Sequence, residues 1–410
     1  MKKKVHYIPV LQALFFLFFI LSYIFGNTVY FFSKVLGVNL NFSVLAFSII
    51  PLLLVFFFNM FIKYQKKDSG TIRILIFYTF FLMIHGFLKS NPISAILEEL
   101  WTIIVVFVAY RLSRNNLFFD IIKSWGFLIF LLTSYLIYLG TNETREYIDD
   151  LSSINIDLSD RTASLGYEFI SLLDFWPFIF ALWFFEKRFI SKLLGFIPFI
   201  VYFSYQIYFL KRAPSARCVT QLLFFSLMAY SSNFSFTRSF QMLMIFLVIG
   251  FSSYFVIPDD LISRFANDDA SRPNEAFHML RQFSLLDYIF GRGLGGIYIS
   301  DNGIFDMLGK HEYRHILHIG ALYPLLKGGI LLFILLSILL LNILIKSFKH
   351  RRNFTAIEHS CFGFLVIFLL FRWIEGPITT TTAFNGIMFG LSLGRLEYFN
   401  QTQIVSLRYG

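Results

Sequence analysis

Cysteine is nearly absent. Two residues, Cys218 and Cys361, in a chain of 410 are too few for a disulfide framework or a cysteine-based metal cluster, and they leave the redox compartment open. Charge is scarce as well: Asp, Glu, Lys and Arg make up 15% of the chain, where soluble domains carry about 25% to cover their surface. That shortage excludes a soluble enzyme, a disordered regulator and a secreted disulfide scaffold. The period-two alternation of an outer-membrane barrel is missing too, since runs such as Val10 to Phe25 are apolar on every face.

What the chain has in excess is hydrocarbon: 57% apolar residues, 56 Phe and 21 Tyr, with a mean hydropathy of +0.67. Apolar runs of roughly 17 to 25 residues each suit one crossing of a bilayer as a helix. Such runs lie near 8–25, 43–62, 72–88, 93–110, 124–140, 169–185, 193–210, 217–231, 239–257, 320–345, 359–375 and 383–399. The expected fold is therefore all-α and polytopic, with about twelve transmembrane helices. Nine of them fall in residues 1–257, a large hydrophilic loop covers 258–319, and three more helices with a tail fill 320–410.

The formal charge of +10 sits in short clusters between these runs, not on one contiguous face, so it points to membrane orientation and not to nucleic acid. Lys2, Lys3 and Lys4 precede the first run and predict a cytoplasmic amino terminus. Alternation then puts Lys63, Lys66, Lys67 and Arg73, then Arg111, Arg114 and Lys123, and later Lys346, Lys349, Arg351 and Arg352, in cytoplasmic loops. Both termini are expected in the cytoplasm. The first run is longer than the core of a secretory signal and is expected to be retained as an anchor.

Polar chemistry is concentrated outside the runs. The segment 258–319 holds Arg264, Arg272, Arg281, Arg292 and Arg314, four histidines including His315 and His318, and the glycine run Gly291-Arg292-Gly293-Leu294-Gly295-Gly296. Guanidinium groups offer a flat fork of donors matched to phosphate or carboxylate oxygens. Pairing with the neighbouring carboxylates of the loop is the structural alternative. The turn Lys211-Arg212-Ala213-Pro214-Ser215-Ala216-Arg217 carries three cations on the side where the orientation rule disfavours them. The glycine run lacks the strand, helix and Gly-Lys-Ser/Thr ending of a nucleotide loop. It predicts a tight turn that lets backbone approach a ligand or another helix closely. His311 and His315 lie four apart, but no third ligand completes a zinc set. At the outer ends of the runs stand Glu98 and Glu99, Lys327, and Arg372 with Glu375. Of two consecutive glutamates on a helix at most one points inward, and Lys327 is expected to snorkel toward the interface.

These features together resemble the bacterial O-antigen polymerase and ligase superfamily. The stretch Leu285 to Gly296, LLDYIFGRGLGG, is similar to the family's glycine-containing loop element without its usual proline. His318 stands eleven residues before Gly329, as a family histidine stands before the glycine that opens a membrane helix, with Ile319 where Asn is common. Lys211-Arg212-Ala213 is similar to a basic turn between two central spans.

The resemblance implies a helical fold of the glycosyltransferase C class in the bacterial cytoplasmic membrane, with the loop 258–319 in the periplasm. It also implies a metal-independent, cofactor-free polymerase joining undecaprenyl-pyrophosphate-linked oligosaccharides. The absence of any Asp-x-Asp agrees with a metal-independent reaction. His318 and Arg281 are the expected catalytic residues, and Arg212, Arg272 and Arg217 the expected pyrophosphate ligands. Gly291, Arg292, Gly293 and His315 are expected to shape the substrate loop. Membrane lipids and a chain-length regulator are expected partners. Transfer to lipid A core by a ligase, and transport by a twelve-span flippase, are the alternatives.

Overall fold

The structure is a computed structural model. It describes residues 70–114, 176–185, 271–300, 312–314, 322–375 and 383–409, with Gly320 and scattered positions between 116 and 131 and between 190 and 228. The described chain is mostly helical: α1 Gly70–Leu88, α2 Ile93–Leu112, α3 Trp176–Phe184, α4 Ser271–Arg281, α5 Leu285–Phe290, α6 Leu322–Lys349, α7 Ala356–Glu375 and α8 Ala383–Tyr409. The expected runs near 8–25, 43–62 and 239–257 lie outside the described residues, and those near 124–140, 193–210 and 217–231 are described only in scattered positions. An all-α chain is corrected in one detail. Tyr298–Ser300 and Glu312–Arg314 form a small antiparallel ribbon, with Tyr298 opposite Arg314.

Two of these helices, Ile93–Leu112 and Leu322–Lys349, are long and apolar enough to cross a membrane. Burial agrees with apolar surroundings. On α6, Ile330, Ile334, Ile338, Leu341, Ile345 and Phe348 form an exposed stripe at helical spacing, and on α1 Phe77 is 77% exposed beside exposed Phe80, Ile84 and Leu88. An apolar face of that size would be a liability in water, whereas hydrocarbon covers it without cost.

Side-chain contacts fix how the helices run. α8 lies parallel to α2 and presents it with Gly386, Gly390 and Gly394: a Cβ at Gly390 would collide with the Val106 carbonyl, and one at Gly394 with the Tyr110 carbonyl. Small residues four apart let two membrane helices touch backbone to backbone. α7 runs antiparallel to α8, with Phe354 against Phe399 and Phe368 against Phe389. It is also antiparallel to α3, with Phe178 against Phe364 and Phe185 against His359. α1 and α2 form a hairpin through Lys89, Ser90, Asn91 and Pro92, where Ser90 takes a positive φ of 58°.

These directions agree with strict up-and-down alternation of the expected spans. They bring Arg73, Arg111, Arg114, Lys346 and Lys349 to one end of the bundle and the α1–α2 turn to the other. The core between them is built from Val105, Ala109, Leu339, Leu365, Leu391 and Leu396, each 2% exposed or less, with Phe178 and Phe180 fully buried.

Candidate functional site

The site begins with a broken helix. α6 is interrupted at Gly329, whose φ of 59° and ψ of −163° belong to no helix. A break frees backbone carbonyls, and inside a bilayer these must find donors from protein. Leu326 O accepts from Arg292 N at 2.8 Å, Lys327 O from Gly293 N at 2.9 Å, and Gly328 O from the Tyr78 hydroxyl at 2.9 Å. The glycine run supplies the first two donors and so plugs the gap in α6.

Its other flank lies on α1. Leu294 N donates to Leu82 O at 3.0 Å, the His85 ring nitrogen Nε2 meets Gly291 O at 3.1 Å, and Asn91 Nδ2 donates to both Arg292 O and Leu294 O at 2.8 Å. Gly293 has a φ of 78°, open to glycine at no steric cost, and any Cβ there would collide with Gly86 of α1. The close backbone approach expected of the glycines is therefore to two helices at once. Leu82 lies six residues before the end of α1, about 9 Å of helical rise. The run, expected in a hydrophilic loop above the membrane helices, is wedged between their ends.

Beneath it is a buried ion pair. Lys327 Nζ lies 2.5 Å from Glu99 Oε1, and both side chains are 2% exposed. Each partner also holds the glycine run: Glu99 Oε2 accepts from Gly295 N at 2.8 Å, and Lys327 Nζ donates to Gly296 O at 2.7 Å. The Tyr323 ring lies 5.3 Å from the ammonium. The expectation that Lys327 snorkels is overturned. A lysine facing a carboxylate, a carbonyl and an aromatic ring from the inside of a bundle has no reason to reach for the interface. Glu99 faces inward, and the side chain of Glu98 lies outside what the structure describes.

On the outside, α5 is capped by a reciprocal pair: the Ser284 hydroxyl accepts from Asp287 N at 3.2 Å and Asp287 Oδ2 from Ser284 N at 3.1 Å. Lys89 Nζ reaches Asp287 Oδ1 at 3.0 Å and Arg292 Nε lies 3.6 Å from Oδ2. Burial works to raise the Asp287 carboxyl, but the Ser284 hydrogen bonds and the Lys89 ammonium outweigh it and hold it below its ordinary value. The Arg292 guanidinium donates to the carbonyls of Ile297 and Gln282 and lies over the Phe283 ring. Gln282 in turn exchanges two hydrogen bonds with Ile299. Arg292 thus fastens the loop to itself.

Arg281, at the end of α4, is exposed, with its guanidinium 4.1 Å from the centre of the Phe277 ring. Arg272 lies on the same helix. At about 100° per residue, two positions nine apart occupy opposite faces, so α4 does not bring these arginines together. Arg212, Arg217, His315 and His318 lie outside the described residues. Gly291 and Gly293 are the hinge points of the plug, both at positive φ. Sequence reasoning missed His85, Lys89 and Asn91 as its anchors.

At the far end of the bundle a second polar cluster is buried. Arg395 pairs with Glu358 at 2.5 Å and donates to Asn116 at 2.5 Å, while Glu358 also accepts from Thr355 N at 2.9 Å and from its hydroxyl. The Tyr110 hydroxyl donates to Glu397 and accepts from Arg114 Nη2 at 3.0 Å.

Comparison with protein families, with curated proteins and with solved structures finds no match.

Proposed function

We propose that the chain is a membrane glycosyltransferase of the polymerase kind, joining undecaprenyl-pyrophosphate-linked oligosaccharide repeat units at the periplasmic face of the bacterial cytoplasmic membrane. The observation that supports this reading is the fastening of a polar, arginine-bearing segment to the ends of apolar helices by backbone hydrogen bonds. A substrate whose head is sugar and pyrophosphate and whose tail is lipid needs such a junction, where donors for oxygen meet hydrocarbon.

Nucleotide sugars do not occur outside the cytoplasm, so the donor must arrive already activated as a lipid pyrophosphate. The enzyme's task is to stabilise charge growing on the departing pyrophosphate. Arg281 and Arg212, with Arg217, are assigned to that charge. His318 is assigned to orient or deprotonate the attacking sugar hydroxyl.

Purified protein reconstituted with a synthetic lipid-linked repeat unit should yield longer lipid-linked chains. Arg281→Ala and His318→Ala, at normal levels in the membrane, should each lower the rate on the order of 10²-fold. Unchanged rates in both variants would remove those assignments. Deleting the gene should leave core carrying a single repeat unit. Bare core with stranded lipid-linked polymer would instead mark a ligase.

A further inference from the structure

A cavity of about 100 Å³ runs between α1, α2, α6 and α8, directly beneath the glycine plug. Leu75, Thr79 and Leu82 line it from α1, and Leu332, Leu336 and Leu339 from α6. Along α2 it extends from Ile103 to Tyr110, seven residues or about 10 Å of rise. It is long, narrow and almost wholly apolar.

The few polar groups on its wall are already engaged. The Thr79 hydroxyl donates to Leu75 O at 2.9 Å, Tyr110 is held by Glu397 and Arg114, and Lys327 by Glu99 and Gly296. A sugar, a nucleotide or an ion would find no partner there, and a water needs at least two. Hydrocarbon is the remaining chemistry. Phe77, Ile84, Ile334 and Ile338, on the same two helices that line the cavity, are exposed and form an apolar surface that membrane lipid would cover.

We propose that this cavity is a binding site for one hydrocarbon chain of a membrane lipid, inserted between α1 and α6 with its polar end on the side of the glycine plug. The site does not depend on the polymerase reading, and any long-chain lipid could supply the tail.

The full chain in nanodiscs would be photolabelled with two probes carrying a diazirine in the tail, a phosphatidylcholine and a polyprenyl phosphate, and the adducts mapped by mass spectrometry. Adducts on the segments 75–82, 103–110 and 332–339 at cavity-lining positions are expected from one probe or both, and the probe that labels names the source of the chain. Filling the space with Thr79→Phe and Leu336→Phe should lower this labelling roughly tenfold while adducts on exposed Phe77 and Ile334 persist. Leu336→Ala, which enlarges the space, should retain the cavity adducts and guards against a misfolded filling variant. Adducts confined to exposed positions such as Phe77 and Ile334, with none on the cavity wall of the unaltered protein, would overturn the proposal.

Discussion

The two ends of the helical bundle bury charge by different means. At the glycine end, Glu99 and Lys327 come from helices more than two hundred residues apart, and each also bonds to the backbone of a loop. At the other end the bonds run side chain to side chain, Arg395 joining Glu358 to Asn116 and Tyr110 joining Glu397 to Arg114, with Thr355 adding donors to Glu358 from the start of its own helix. The first arrangement makes the ion pair a clamp on a loop; the second makes a helix-to-helix rivet. Losing one charge of the clamp takes away the other's counter-charge in a buried setting. A rivet with redundant donors should tolerate the same loss better.

Five experiments would break or sharpen that contrast. Lys327→Met removes the counter-charge of buried Glu99 and should cost about 3 to 5 kcal/mol. Thermal unfolding in detergent checks this, and adding Glu99→Leu should restore part of the loss. Gly293→Ala, which forces a Cβ into Gly86 at a positive φ, should cost about 3 kcal/mol in the same assay. Arg395→Met should cost only about 2 to 3 kcal/mol, because the Thr355 donors stay on Glu358. A loss there equal to that of Lys327→Met would end the distinction between clamp and rivet.

The smallest effect belongs to the rim of the clamp. Ser284→Ala removes the α5 cap and should cost about 1 kcal/mol. Because the Asp287 carboxyl is held below its ordinary value, its contribution is complete above that value and fades as pH falls through the lowered one. The gap in unfolding temperature between the unaltered protein and Asp287→Asn should therefore be full at neutral pH and close on acidification.

Much of the helical framework was legible in composition and run length. α1, α2, α6 and α7 begin and end within a few residues of the apolar runs, because in hydrocarbon a backbone must bond to itself and length alone selects a helix. α8 continues past its apolar run to Tyr409, a polar extension that hydropathy does not register. The stripe Gly386, Gly390, Gly394 was a readable signal for tight helix packing that went unread. The partner of Lys327 was not legible. Nothing local distinguishes a lysine that snorkels from one that meets Glu99, since the choice is made by how α2 and α6 pack. His85, Lys89 and Asn91 were hidden for the same reason: each acts on residues about two hundred positions away. The ribbon of Tyr298–Ser300 with Glu312–Arg314 was missed because three-residue strands leave no periodicity to read.

The parallel contact of α2 with α8 joins the fourth expected span to the last. Some 270 residues separate Leu112 from Ala383, and at ribosomal rates of about 5 to 20 residues per second the earlier helix waits for its mate for roughly fifteen to fifty seconds. Throughout that interval the α2 surface destined for three glycines lacks its mate. The α2–α8 contact therefore closes long after α2 is made, and a chain truncated before Gly386 would lack the helix that packs on α2 through these glycines.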